Sequence, residues 1–459
     1  MNNQKKISIW QTLLLLLLVS ASVAVCIFLK TGGPMIGLFI SWIWIYVFCK
    51  LTRRSFEDAA SGAYDAIKVV VPTLCLLMAI GVMVGTWIQS GTIATIVSLG
   101  LKAINPRWLL PLACVLCAVL SVVTGTSYGS VGSMGLALMA IGNAMGINPG
   151  MVAGAVICGA MFGDKISPLS DTTNLAAAVS GAKLKDHVKS MMWSTIPTFI
   201  ITVIIFGILG IAQTSGDYDT GDLGHYTDAL AGEFNLGILT LIPMVIVILC
   251  LILKMNAIVA MGLSSISAGI ISVFVQNHTL AEVIKTAYSG YTTTISDGVL
   301  KSILNRGGMS SMLQYVAIIF FAVGLGGMLE RLGALDSILS ALTKRIKSDG
   351  ALILVTLLVG YITSLVSCSQ PMAHVMTGRL MDPVFKERKI APEILSRSLE
   401  DAGTLCGPMI PWHGYCVYMS GTLGVAWGTF FPYLFLLYLT PLVSIFYGYT
   451  GISIKHTDE

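Results

Sequence analysis

Charge is scarce in this chain. Asp, Glu, Lys and Arg make up 11% of its 459 residues, against 55% hydrophobic. A water-facing domain carries roughly 25% charged residues, so this chain has too few to coat a soluble surface. Two chemical signatures are also missing. There is no HExxH of a zinc hydrolase and no GxxxxGK[ST] loop to cradle a nucleotide, which disfavours a pump driven by ATP. No cleavable leader is expected either, because "MNNQKKISIW" runs into "QTLLLLLLVSASVAVCIFLK", an apolar run longer than a signal peptide needs. The ten cysteines lie mostly within apolar stretches. Cys114 and Cys117 form a CxxC inside one of them with no second pair, the mark of small buried thiols rather than a metal or redox site. A net charge of +4 calls for no nucleic-acid partner.

What is present is apolar sequence in long runs. They lie at about 9–30, 33–50, 68–88, 107–143, 150–181, 191–212, 236–253, 255–275, 312–330, 351–380, 392–421 and 424–448, many beyond the ~18 residues that mark a membrane span. The chain reads as an all-α polytopic membrane protein in a lipid bilayer. With the N-terminus inside, and 107–143 and 351–380 treated as hairpins that return to their own side, the basic loops sort to one face. Lys5, Lys6, Lys50, Arg53, Arg54, Lys183, Lys185, Lys189, Lys254, Lys344, Arg345, Lys347, Arg379, Lys386, Arg388, Lys389 and Lys455 fall inside. The outside keeps few, Lys30, Lys102, Arg107, Lys285, Lys301 and Arg306, together with the acidic stretch "GDYDTGDLGHYTDALAGE". This asymmetry predicts a cytoplasmic-membrane protein with both termini cytoplasmic. Two full crossings in place of each hairpin give the same parity.

The two halves repeat. "GTWIQSGTIATIVSLGLK" slides onto "GMLERLGALDSILSALTK", pairing Gly85 with Gly327, Gly91 with Gly333, Ser98 with Ser340 and Lys102 with Lys344. "SPLSDTTNLAAAVSG" slides onto "GPMIPWHGYCVYMSG", pairing Pro168 with Pro408 and Ser180–Gly181 with Ser420–Gly421. The span at 68–88 runs outward and its partner at 312–330 runs inward, so the copies are inverted. Inverted repeats with breaks at matching places point to a secondary transporter with its site near mid-membrane. Four parts follow: helices at 1–67, a first repeat at 68–212, an acidic loop with two scaffold helices at 213–311, and a second repeat at 312–459.

Polar residues gather at the breaks. In "GDKISPLSDTTN" (163–174), Pro168 and the Ser, Asp and Thr residues stop a helix. That frees backbone groups which lipid does not tolerate. Carboxylates there cost about 2.5–3.5 kcal/mol each on insertion scales, and a bound cation offsets that cost. Asp164 and Asp171, with the amide of Asn174 and nearby hydroxyls, are the oxygen ligands a hard cation such as Na⁺ takes. The competing explanation is an ion pair, Asp164 with Lys165 or Lys165 with Asp171, that only joins helices. "SVVTGTSYGSVGSMG" (121–135) offers Thr124, Thr126 and Ser127 at a turn, or else a small-residue packing face of an unbroken helix. Its partner, "TSLVSCSQPMAHVMTG" (363–378), offers Ser367 and Ser369 before Pro371. The second break, "EDAGTLCGPMIPWHGYC" (400–416), carries Glu400, Asp401, Thr404, Trp412 and His413. His413 either titrates or bonds a freed carbonyl, and His374 is a weaker candidate of the same kind.

At these residues the chain resembles the NhaC-type Na⁺/H⁺ antiporters, through "GDKISPLSDTTNLAAAVSG" and "LSRSLEDAGT…IPW". The resemblance covers nearly the whole chain. It implies two re-entrant hairpins, a scaffold with a mobile part, a homodimer, and exchange of Na⁺ for H⁺ with no resident cofactor. In some members it implies coupling of those ions to organic acids such as malate and lactate. It also implies that Asp164, Ser167, Asp171, Thr172, Thr173 and Asn174 line the ion path. Where the family reads "IPWNTC", this chain reads Ile410, Pro411, Trp412, His413, Gly414, Tyr415, Cys416. An imidazolium at 413 favours an organic anion, and a neutral imidazole accepts a proton. The expectation is a Na⁺/H⁺ antiporter in which Asp164 and Asp171, with Asp401 and His413 as further proton carriers, hold either ion. The alternative cargo is a small organic anion or amino acid.

Overall fold

A backbone in hydrocarbon has no water to bond, so it satisfies its own N–H and C=O groups within helices. The computed structural model describes residues 7–29, 33–214, 221–335, 346 and 348–457. Among them the one bridge between extended segments joins Ile390 and His456. Lys5, Lys6, Lys30, Ser340, Lys344, Arg345, Lys347 and the start of the acidic stretch lie outside the described residues. Eight of the described helices are long and apolar enough to cross a membrane, and three bent pairs pass the same test together. The protein is an all-α polytopic membrane protein.

Helices α1 (Ile9–Phe28) and α2 (Gly33–Leu51) pack on each other, and α2 also meets α3 (Phe56–Gln89). The apolar run at 68–88 marked only part of α3. Ser55 caps the helix on the Asp58 N–H, and its 34 residues span about 51 Å at 1.5 Å per residue. A short buried helix, α4 (Thr92–Ala103), follows.

Both hairpin regions break near the expected place. Helix α5 (Pro106–Thr124) ends on Gly125 at φ 69°, and the chain restarts at α6 (Ser127–Ser130), passes one wide turn at Val131–Gly135 and continues as α7 (Leu136–Ala144). The unbroken-helix reading of 121–135 is therefore wrong, because a left-handed residue ends the hydrogen-bond ladder. Both arms are about 27–28 Å long, near the thickness of the hydrocarbon core.

Next come α8 (Pro149–Ile166), the break at Ser167–Ser170, α9 (Asp171–Ser180) and α10 (Leu184–Gln213). Helix α10 shows how the solvent sets the pattern. It exposes Ile200, Ile204, Ile208 and Ile211 and buries Thr195, Thr198 and Thr202. The polar stripe faces protein and the apolar stripe faces lipid, the reverse of a soluble helix.

Helix α11 (Gly221–Glu233) is followed by a tight turn at Ile238–Leu241 that runs into α12 (Ile242–Ile252), so the span expected at 236–253 is helical over Ile238–Ile252 and bent 92° from the preceding helix. Then follow α13 (Ala257–Phe274), α14 (Leu280–Ser289), α15 (Gly298–Leu304) and α16 (Met309–Arg331), the last packed closely along α3.

The second half holds α17 (Asp349–Ser367), α18 (Gln370–Glu387), α19 (Pro392–Leu399), a wide turn at Glu400–Thr404, α20 (Gly414–Leu423), α21 (Trp427–Phe430) and α22 (Phe435–Thr450). Its elements match the first half at one constant separation. Helices α5 and α17 both have 19 residues and end on left-handed Gly125 and Cys368. Pro149 and Pro392 open α8 and α19. Ser170 and His413 precede the 10-residue α9 and α20, which end on left-handed Gly181 and Gly424. This register sets Pro168 opposite Pro411, where the letters set it opposite Pro408, because caps and turns fix positions that side-chain identity does not.

Helices α5 and α8 touch backbone to backbone. A Cβ on Gly159 would lie 2.0 Å from Cys114 O, and one on Gly163 would lie 2.5 Å from Ala118 O. This is a GxxxG contact. Gly159→Ala should cost about 1–3 kcal/mol by overpacking, read as a lowered melting temperature of the detergent-purified protein.

Candidate functional site

The break after α8 places its polar residues by helix-end chemistry. Ser170 holds the N-cap position of α9, and Thr173 Oγ1 donates to the freed carbonyls of Lys165 at 3.0 Å and Asp164 at 3.3 Å. Ser167 Oγ donates to Val122 O at 2.8 Å, tying the break to α5. Asn174 Nδ2 donates to Ser170 O and Pro168 O.

Asp164 is the centre. It is 3% exposed, and its two carboxylate oxygens accept from Ser127 Oγ and Ser170 Oγ, each at 2.6 Å. Ser170 in turn lies 3.0 Å from Thr172 Oγ1, and Tyr415 OH lies 3.5 Å from Ser127 Oγ. One hydroxyl comes from the hairpin, one from the break and the phenol from the other half of the chain. Among the described residues no cation pairs with Asp164.

The expected partner of that carboxylate is committed elsewhere. Lys165 pairs with Asp401, not with Asp164 or Asp171, and its Nζ also donates to Thr195 Oγ1 at 2.6 Å. Asp401 accepts from Ser444 Oγ and from Ser194 Oγ as well. Both members of the pair are 0% exposed. The two partners sit next to the two breaks, so both ion-pair readings of the first stretch are corrected: the pair is long-range, and the neighbouring aspartates take no part in it.

Beside them lies Glu400, in the wide turn. It is fully buried, and neither carboxylate oxygen makes a hydrogen bond, although the hydroxyls of Thr172 and Thr404 stand near and Lys165 and Asp164 are within electrostatic reach. His374 Nε2 is 4.0 Å from Glu400 Oε1 and 3.1 Å from Thr404 Oγ1, and His374 Nδ1 has no partner.

Not every expected residue joins this centre. Asp171 is exposed on the first turn of α9, and Asn174 is exposed too. The cation set Asp164, Asp171 and Asn174 is therefore split between interior and surface. Among the described residues no three His, Cys, Asp or Glu side chains converge as a metal cage. Thr124 bonds Leu120 O, and Thr126 caps Gly129 N. Ser367 and Ser369 bond each other's turn, and Trp412 Nε1 donates to Leu365 O. His413 caps α20: its Nδ1 accepts from the Tyr415 N–H at 3.1 Å, and its buried Nε2 has no partner. An acceptor Nδ1 leaves the ring proton on Nε2. The imidazole thus does the capping work that an Asn does well, rather than bonding a freed carbonyl.

Sequence reasoning passed over Ser170, Tyr415, Ser194, Thr195 and Ser444, and it left Glu400 out of the site. It also took the GxSxG spacing of a serine nucleophile to be absent, and "GTSYG" (125–129) corrects that. Ser127 there gives its proton to Asp164, and no imidazole bonds either group among the described residues.

Residues 159–452, from the GxxxG face of α8 to the end of α22, match the Na⁺/H⁺ antiporter family. The chain is 34% identical over 452 residues to the Na⁺/H⁺ antiporter NhaC of Alkalihalophilus pseudofirmus, covering 98% of this chain and 97% of that one. It is 34% identical to the malate-2H⁺/Na⁺-lactate antiporter of Bacillus subtilis, covering 92% and 91%. It is 32% identical to the arginine/ornithine antiporter ArcD of Halobacterium salinarum, covering 94% and 91%. The broken helices, the buried carboxylates and these near full-length matches agree, and the chain belongs to the Na⁺/H⁺ antiporter family.

Proposed function

We propose that this protein is a secondary antiporter that exchanges Na⁺ for H⁺ across the membrane, and that Asp164 is the carboxylate on which the two ions compete. The observation that carries the reading is a fully buried carboxylate held by two hydroxyls, while the adjacent Lys165 is spent on Asp401. An ionised carboxylate at depth needs a positive charge or a proton. Ser127 and Ser170 donate to the bare or protonated group, and by rotating they turn lone pairs to a cation. One site that takes a proton or Na⁺, never both, couples the two fluxes. The two broken helices, acting as inverted copies, carry the site from one side to the other. Glu400, with His374 beside it, is a further proton carrier.

The test is direct. Proteoliposomes hold a pH dye and an acidic lumen. Na⁺ added outside should raise lumenal pH, because Na⁺ enters as H⁺ leaves, and K⁺ should not. A lumen that ignores Na⁺ at every pH tried would remove this reading.

A second reading adds an organic cargo to the same ions. It is favoured by two of the relatives, one named for malate and lactate and one for arginine and ornithine. Uptake of radiolabelled malate, lactate and arginine that saturates and needs Na⁺ would establish it.

A further inference from the structure

At the far end of α20 from His413 lies a second polar place. A cavity of about 420 Å³ opens between the end of α3, the segment from Ser289 to Met312, and the last turn of α20. That volume is within the range of small-molecule sites. Its charged group is Arg306. Among the described residues no carboxylate pairs with Arg306 and no hydrogen bond uses its guanidinium. Glu233, an acid that does engage the wall, is turned to other donors: the Tyr291 phenol at 2.8 Å, the Thr293 hydroxyl and the Thr294 N–H.

Three further observations make this a built site rather than a stray arginine. First, the guanidinium lies over a glycine. A Cβ on Gly424 would fall 1.3 Å from Arg306 Nη2, so a side chain there would displace the charge. Second, Thr422 lines the cavity, is 2% exposed, and its hydroxyl makes no hydrogen bond. The neighbouring Tyr418 has already given its phenol proton to Tyr128 O at 2.6 Å. Third, the wall is fixed in place. Gly308 N–H donates to Gly81 O of α3 at 2.7 Å, and Asn305 Oδ1 accepts from Thr293 N–H at 2.8 Å. Ser289, Thr292, Ser311 and Gln314 add hydroxyls and an amide to the lining, beside the apolar Val84 and Met312.

We infer that this cavity binds a small organic carboxylate, with Arg306 as its charge partner and Thr422 as a hydrogen-bond donor. A guanidinium presents two parallel N–H groups that fit a carboxylate better than a spherical halide, and the hydroxyls suit a second polar group on the same molecule. The inference stands apart from the Na⁺/H⁺ reading, since Arg306 and Thr422 make no contact with Asp164, Lys165 or Glu400.

The experiment is calorimetric titration of the detergent-purified full chain with malate, lactate, acetate and chloride. At least one of the carboxylates should bind and chloride should not. Arg306→Gln should weaken that binding by about tenfold or more, and Arg306→Lys by less, because an ammonium keeps the charge but loses the fork. Thr422→Val, which keeps shape, should weaken it several-fold and serves if Arg306→Gln does not fold. Na⁺-driven proton movement, measured on the same variants, reports on Asp164 independently. No binding of any carboxylate, chloride binding as tightly as the acids, or equal affinity in wild type and both Arg306→Gln and Thr422→Val would overturn the assignment.

Discussion

Asp164→Asn abolishes Na⁺-driven proton movement and leaves the protein folded. The amide has the shape of the carboxylate, and the hydroxyls of Ser127 and Ser170 can accept from its NH₂ as readily as they donate to a carboxylate. Packing is kept, so the melting temperature should stay within a few degrees of wild type. The chemistry is not kept. An amide does not take up a proton at working pH and does not neutralise Na⁺, so no competition exists to couple the fluxes. The lumenal pH response should fall to that of protein-free vesicles. Asp171→Asn is the contrasting arm. Its carboxylate is exposed and outside the hydroxyl cluster, so exchange should persist. Full activity in Asp164→Asn would remove Asp164 from the ion path.

The second large effect is on stability. Lys165→Met leaves Asp401 at 0% exposure with hydroxyl donors and only the more distant charge of Arg397. Breaking one side of a buried pair costs about 3–5 kcal/mol, because the remaining charge loses its close partner. Asp401→Asn should cost a similar amount by stranding Lys165, with Arg397 one turn earlier adding like charge. The double variant Lys165→Met with Asp401→Asn should be more stable than either single one, since no unpaired ion is left. Reversible unfolding in mixed micelles reads all three. A double variant as unstable as the sum of the singles would mean that the pair contributes through packing rather than charge.

The breaks were legible because they are local. Pro168, Gly125 and the Ser and Thr caps act on their own backbone, and the chain turns where they stand. The choice between Asp164 and Asp171 was not legible. They flank one break, and which side chain points inward depends on how α8 seats against α5, a contact set by Gly159 and Gly163. The partner of Lys165 lies 236 positions away, and nothing in either stretch names the other. Glu400 and Asp401 are neighbours, yet both are buried, because the wide turn at Glu400–Thr404 departs from the regular period of an α-helix.

The tie between Lys165 and Asp401 fixes where the molecule can hinge. Any swing that carried the end of α8 away from the turn after α19 would pull two opposite charges apart in a setting with few waters, at a cost of several kcal/mol. Those two segments therefore travel as one rocking unit with the bundle around them. The long seam where α3 lies along α16 holds a clasp of its own, the pair of Arg331 with Asp58 at 3.0 Å, but that pair is exposed and far cheaper to part.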